Sequence, residues 1–281
     1  MGGRLVQTRP TGHGRARGIV SSRESGDRVR ARAYEVEGEL GEVVERLWTG
    51  RWDLRGQAPH ETQMLSDPCV HLVIEEGGDY AGARVVGVWT RLWKRRLEGK
   101  GRVFGAKLRA GAARAFLDGS AHAYTNRITP LVSSFGPSVE MLERQVLGSH
   151  DDEACLEPLR AWLDARRRSE KRDEVSLAMA IMGEARAPGG PLRAEALAER
   201  AGFSLRVLQR FFREFIGATP KWVIRCARLQ EAATRIEAER DRGRQSLAAL
   251  AVELGYGDQA HFSRDFKRAT GRSPREFAAL R

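Results

Sequence analysis

Two apolar periodicities divide this chain of 281 residues. Between about Tyr34 and Leu147 apolar residues come in short runs broken by Gly, Pro and Asp; from Leu156 onward they recur every three or four positions. In the first region, residues 70–74 and 83–89 are β-branched runs bounded by turn residues, which predicts strands. Residues 102–108 alternate apolar and polar positions, as a half-buried strand does. Residues 112–117 read as the start of a helix. Together these predict a mixed, mainly antiparallel β domain over residues 33–155. Leu159, Trp162, Leu163, Val175, Leu177 and Ile181 then fall on helical faces, so residues 156–189 read as a helical linker region, with the polar run 166–174 as a turn inside it. Ala187-Pro188-Gly189-Gly190-Pro191 is a strong breaker and marks the boundary before an all-α segment, residues 190–281. The fold class expected is α+β.

The all-α segment contains one piece of sequence twice. Leu197-Ala198-Glu199-Arg200-Ala201-Gly202-Phe203-Ser204 precedes a basic helix ending Phe211-Phe212-Arg213, then Gly217-Ala218-Thr219-Pro220. Leu250-Ala251-Val252-Glu253-Leu254-Gly255-Tyr256-Gly257 precedes a second, ending Asp265-Phe266-Lys267, then Gly271-Arg272-Ser273-Pro274. The offset is 53 residues at Gly202 and Gly255 and 54 at Pro220 and Pro274, so one residue is inserted between those points. A short apolar helix, a Gly-aromatic turn and a basic helix make a helix-turn-helix, here present in duplicate. Ser204 and Asp258 stand at N-cap positions of the basic helices. Thr219-Pro220 and Ser273-Pro274 each put a capping hydroxyl before a proline, and Ser273 with Glu276 is a capping-box pair. Residues 221–239 read as one connecting helix with Trp222, Val223, Ala227, Leu229, Ala232, Ala233 and Ile236 inward.

Charge sharpens this picture. The net charge of +11 is distributed as +6 over residues 1–32, −2 over 33–189 and +7 over 190–281. A neutral middle and a basic duplicated segment suit a polyanion binder. Outward positions on the basic helices carry Arg206, Gln209 and Arg210, then Gln259, His261, Ser263 and Arg264. Arginine can bind guanine bidentately and glutamine can bind adenine likewise, so these are the expected base readers. Ser204, Arg213, Lys221, Lys267, Arg268 and Arg272, near turns and helix ends, are the expected phosphate contacts, which set affinity rather than sequence. A connecting helix of nineteen residues spans roughly 28 Å at about 1.5 Å per residue. Successive major-groove faces lie about 34 Å apart, so the rod is of the right order to hold both readers on one side of a duplex.

The C-terminal third, about residues 191–280, resembles the AraC/XylS family of bacterial transcription regulators. The residues that carry the likeness are Leu208-Gln209-Arg210-Phe211-Phe212 with Gly217 and Thr219-Pro220, Arg228-Leu229, and Gly255-Tyr256, His261 through Lys267 and Gly271-Arg272-Ser273-Pro274. The resemblance implies two helix-turn-helix units joined by a long helix and bound to an asymmetric site in successive major grooves. It places Arg206, Gln209, Arg210, Gln259, His261 and Arg264 at reading positions, and Ala260 at another where no polar group is available. It implies double-stranded DNA and RNA polymerase as partners, a cytoplasmic setting, and no cofactor or enzymatic activity. The front half looks like an N-terminal domain of some members, on Trp48, on Ser66 through Glu75 and on Phe104 through Gly111. It departs from the usual Arg-Pro-Gly-Gly at Arg109-Ala110-Gly111-Ala112. For such a domain the family implies sensing of a small-molecule effector or pairing as a homodimer.

Other chemistry is weaker in the sequence. Residues 1–32, rich in Arg, Gly and Ser, read as a disordered basic tail. Three separate cysteines, Cys69, Cys155 and Cys226, suit a reducing compartment better than a disulfide framework, and Cys69 reads as a small buried hydrophobe. His60, His71 and His122 lack metal-ligand spacing, and His71 reads as a sheet residue. Gly99-Lys100-Gly101 is not a P-loop. Trp48, Trp52, Trp89 and Trp93 read as core before ligand pocket. No apolar run approaches a membrane span of about 20 residues. The competing reading is an enzyme, or a metal-binding cupin-like domain, tethered to a DNA-binding module.

Overall fold

A computed structural model describes residues 29–64, 66–238 and 246–279. It has the α+β architecture expected: an antiparallel β body in front and helices behind. Strands β1 (Val29–Tyr34), β2 (Val44–Asp53), β4 (His71–Glu76), β5 (Gly82–Val86), β7 (Lys100–Leu108) and β8 (Ile128–Pro130) form one sheet in the order β1-β2-β7-β4-β5-β8, every pairing antiparallel. A two-stranded sheet of β3 (His60–Met64) and β6 (Trp93–Leu97) pairs separately. Leu47, Leu72, Ile74, Val85, Phe104, Ala106 and Leu108 form the core on one face of the large sheet; Trp52, Val73, Val86 and Val103 pack with Leu97 of β6 on the other. This alternation is the period-two rule at work, with both faces covered.

That double cover corrects the reading of residues 102–108 as a half-buried strand. β7 is central, and the polar side chains of residues 102–108 are inside: Arg102 is 9% exposed and Lys107 2%. Each is kept by ion pairs, because a buried charge without a partner is costly. Arg102 Nε donates to Glu76 at 2.6 Å, and Lys107 Nζ lies 3.1 Å from Glu45 and 2.6 Å from Asp67. Glu75, fully buried on β4, is held between Arg84 at 2.5 Å and Arg95. On the other face Asp152 accepts from Arg51, Tyr34 and Thr49, which ties a helix start to the sheet.

Helices follow the body: α1 (Gly38–Gly41) near its start, then α2 (Val132–Phe135), α3 (Ser138–Leu147), α4 (Asp152–Arg166) and α5 (Arg172–Arg186). Residues 112–117 form only a 3-10 turn at Ala113–Ala115 rather than a regular helix. The expected turn at 166–174 is shorter, since α4 runs through Arg166 and α5 resumes at Arg172. Of the expected tail, residues 1–28 lie outside the described residues, while Val29 to Arg32 are strand β1, paired along β2 with Arg32 on Asp152. Arginines alternating with small residues satisfy an edge strand, where a run without apolar content read as tail.

The remaining helices are α6 (Ala194–Arg200), α7 (Leu205–Phe211), a π segment Phe212–Ile216, α8 (Pro220–Ala238), α9 (Leu247–Glu253), α10 (Gln259–Thr270) and α11 (Pro274–Ala279). Apolar packing crosses the Pro-Gly breaker. Leu197, Leu208, Phe212, Val223 and Ile224 share one core with the sheet and α3–α5. Leu229, Ala232, Ala233 and Ile236 of α8 pack instead with Leu250, Tyr256, Phe262, Phe266 and Phe277.

Candidate nucleic-acid interface

The two duplicated units are built by the same local chemistry. At the end of α6, Gly202 N–H donates to Glu199 O at 3.0 Å and Phe203 N–H to Ala198 O at 2.9 Å. At the end of α9, Gly255 N–H donates to Val252 O and Tyr256 N–H to Ala251 O, both at 2.9 Å. This is the Schellman arrangement, whose penultimate residue must be left-handed; Gly202 has φ +70° and Gly255 +72°. Each basic helix is then capped as its sequence predicts. Ser204 Oγ accepts from Val207 N–H at 3.3 Å, and Asp258 Oδ1 from His261 N–H at 2.7 Å. That bond holds the Asp258 carboxyl below its usual range. Thr219 Oγ1 caps α8 through Trp222 N–H at 3.2 Å. Ser273 and Glu276 close a reciprocal capping box at 2.6 and 3.3 Å.

The inserted residue can now be placed. The N-cap Ser204 follows Gly202 by two positions, Asp258 follows Gly255 by three, and from cap to terminal glycine both units run 13 residues. Gly257, in the turn, is the extra one. Helix positions therefore correspond at an offset of 54, so Arg206 answers to Ala260, Gln209 to Ser263 and Arg210 to Arg264.

Inward faces of α7 and α10 carry Leu208, and Phe262 with Phe266, all essentially without exposure. The opposite faces are open. Arg206, Gln209 and Arg210 on α7 are exposed, as are Ala260, His261 and Arg264 on α10, while Gln259 and Ser263 are half-buried. His261 rests edge-on against Tyr256, with ring centroids 5.2 Å apart. Of the phosphate set, Ser204, Arg213, Lys221, Lys267 and Arg268 are exposed and Arg272 is half-buried. Arg268 also lies 3.4 Å from Asp265, a buried carboxylate on the flank of α10 that sequence reasoning did not single out. The connecting helix is α8, 19 residues long, beginning at Pro220; residue 239 lies outside the described residues.

Contacts from the β body onto these units were not legible beforehand. Ser120 Oγ donates to Arg213 O at 2.8 Å, and Thr125 Oγ1 to Gly217 O at 2.5 Å, covering carbonyls where α7 runs out into its π turn. Arg114 pairs with Glu214 beside them. On α8, Trp222 Nε1 donates to Thr90 O, and Cys226 Sγ and Gln230 Nε2 both donate to Ser66 O. A crevice of about 130 Å³ opens between Ser66, Thr90 and Leu92 of the body, Trp222 and Arg225 of α8, and Asp265 of α10. On the body's side these joints are made by hydroxyls, carbonyls and one arginine outside its strands, which have no sequence period to betray them.

The other sequence candidates are dispersed. His60 lies on β3, His71 on β4 and His122 in a 3-10 turn. Burial pushes the His71 imidazole down to about 3, with Lys107 adding to the effect. Its ring meets Trp48 edge-on at 6.0 Å. Among the described residues no group of three or more His, Cys, Asp or Glu could hold a metal ion, and no helix is long and apolar enough to cross a membrane. Cys69, Cys155 and Cys226 are free and buried. Burial drives the Cys226 thiol up to about 12. Trp52 is core, and Trp89 packs against Trp93 at 5.8 Å.

Residues 197–279 match a family described as a helix-turn-helix domain, and residues 33–130 one described as a domain of unknown function (DUF6597). The chain is 33% identical over 87 residues to the regulatory protein SoxS of Salmonella typhimurium, covering 31% of this chain and 78% of that one. It is 37% identical over 82 residues to the transcriptional activator RhaS of Escherichia fergusonii, covering 29% and 28%. The chain thus spans about a third or less of the length of relatives such as RhaS. A crystal structure of a regulator with an AraC-type DNA-binding domain from Chromobacterium violaceum aligns with TM-score 0.32 and 24% identity, over 40% of this chain and 95% of that one.

Proposed function

The chain belongs to the AraC/XylS family of transcription regulators, and from that premise we propose that α7 and α10 read one asymmetric duplex site in adjacent major grooves. One observation supports this above others: two capped helices, joined by a 19-residue helix, turn Arg206, Gln209, Arg210 and His261, Arg264 to solvent while their apolar faces are buried. In this reading residues 190–281 are the DNA-binding domain, α7 supplies the richer set of base contacts, and Ala260 leaves one position of the second half-site weakly discriminated. Arg213, Lys221, Lys267, Arg268 and Arg272, with the Ser204 hydroxyl, contact phosphate.

The β-rich residues 33–155, with the helical region 156–189, act as a sensor of a small-molecule effector or as a pairing surface. What supports a sensing role is direct contact of that body with both readers, through Ser120 and Thr125 at the first and the Ser66–Thr90–Leu92 crevice at the second. RNA polymerase is the proposed protein partner, by likeness to relatives named as transcriptional activators. The setting is the cytoplasm, and no cofactor enters the scheme.

Gel-shift titration against duplexes recovered from a random library by the full chain tests this. Arg210→Ala and Arg264→Ala should each cost about 1–3 kcal/mol on the recovered site and relax preference at one base. Arg272→Ala should weaken all sequences alike and reduce the salt slope by about 1. Unchanged affinity in both reading variants would defeat the assignment.

A further inference from the structure

The spacer helix serves two cores. Val223 and Ile224 pack into the body, while Leu229, Ala232, Ala233 and Ile236 pack into the second unit. At the changeover stands Arg228, and its contacts go to one place, the turn of the second helix-turn-helix. Nη1 donates to Leu254 O at 3.0 Å and reaches Gly255 O at 3.4 Å. These carbonyls follow the last turn of α9, where a helix leaves acceptors unpaired and carries its partial negative charge. The guanidinium carbon also lies 4.9 Å from the centre of the Tyr256 ring. That ring packs edge-on against His261 and, tilted at 5.4 Å, against Phe262, both in the first turn of α10.

Space around the turn is tight. A Cβ on Gly255 would come within 2.8 Å of Leu192 and 3.4 Å of Arg228 Nη1. The turn is thus held by backbone, ring and guanidinium at once. Only arginine combines a planar fork with a stacking face, so lysine cannot make both contacts together.

We infer that Arg228 is the positioning residue that sets the rotation of the second reading helix about α8, and hence the spacing of half-sites the protein accepts. Arg228 touches no DNA in this scheme; it acts through Tyr256 and the start of α10. The inference rests on the reading that α7 and α10 engage one duplex together.

The test uses the full chain and its library-recovered duplex, with one or two base pairs inserted or deleted between the protected half-sites. Each base pair turns the second half-site by roughly 34°, so a fixed pair of readers shows a sharp spacing optimum. Arg228→Ala should lose about tenfold affinity at the optimum, the scale of one charged hydrogen bond, and change less than twofold off it. The profile flattens. Arg228→Lys should flatten it partly while hydrogen exchange across residues 247–279 stays as in the wild type. A variant as sharply tuned as the wild type would overturn the inference alone. So would loss of the second half-site at every spacing together with lost protection of residues 247–279, since the residue would then serve folding only. A wild-type chain without a spacing optimum would overturn the two-reader scheme and this inference with it.

Discussion

The two helix-turn-helix units share a backbone plan and differ in what holds them. Leu197, Leu208, Phe212, Phe215 and Ile216 of the first belong to the same core as the sheet and α3–α5, and Ser120, Thr125 and Arg114 fasten its end. Leu250, Leu254, Tyr256, Phe262, Phe266 and Phe277 of the second form a core with the far half of α8. Repetition in sequence implies two equivalent readers. Packing makes the first part of the body and gives the second a core of its own with the far half of α8. A unit with its own core can shift without opening the other.

The largest effects should separate these cores. Phe212 and Phe262 answer to neighbouring layers of the duplicated plan and are both fully buried. Truncating either to Ala should cost about 3–5 kcal/mol, from lost burial and the cavity left behind. The location of the damage should differ. In Phe262→Ala, hydrogen exchange should accelerate across residues 247–279 and leave β7 and β4 protected. In Phe212→Ala it should accelerate in the sheet as well. Exchange spreading into β7 from Phe262→Ala would show that the cores melt as one.

Acid should loosen the first body by a route the second lacks. Burial works against the charge on Asp67, but Lys107 and Arg186 outweigh it and hold the carboxyl down to about 2. Asp67 thereby clamps β7, through Lys107, to α5, through Arg186 at 3.6 Å. Its folded pKa lies below the unfolded value of 3.8, so its contribution is complete above that value and fades as pH falls through about 2. The shift corresponds to stability on the order of 2 kcal/mol. Asp67→Asn should lower the stability of the sheet and α5 by that order near pH 7 and flatten the acid limb between about pH 4 and 2 in that body. Identical acid limbs in variant and wild type would refute the clamp.

How much of this was readable from sequence depends on the range of the interaction. Caps, turns and Schellman glycines are local, and Ser204, Asp258, Ser273, Gly202 and Gly255 all stand where the residues implied. Strands 71–76 and 82–86 were recognisable from β-branched runs, and 100–108 from its apolar and polar alternation. What escaped is non-local. Lys107 looked like an outward position because nothing in residues 102–108 reveals the carboxylates of Glu45 and Asp67 that meet it. Val29 to Arg32 looked like tail because an edge strand of arginines needs Asp152, 120 residues away from Arg32, to explain it. The joints at Ser120, Thr125 and Ser66 are one or two hydrogen bonds to a carbonyl each, invisible to any periodicity. Arg228 was visible as a family mark, but its partners Leu254 and Gly255 lie 26 and 27 positions on.

The smallest effects should come from the caps, and here the units differ in chemistry at the same position. Ser204 and Asp258 each accept the N–H three residues on, at 3.3 and 2.7 Å. Ser204→Ala should cost about 1 kcal/mol, typical of a lost hydroxyl cap, at every pH where the chain is folded. The Asp258 cap is an anion, its pKa lowered from 3.8 chiefly by the His261 N–H. Its contribution is therefore present above that unfolded value and lost as pH falls below it. Asp258→Asn keeps an acceptor without the charge, so it should retain the cap at neutral pH and remove this pH dependence from residues 247–279. If exchange there responds to acid equally in Asp258→Asn and the wild type, the charge at the second cap plays no part. Helices α7 and α10 would then be alike in how their starts are capped.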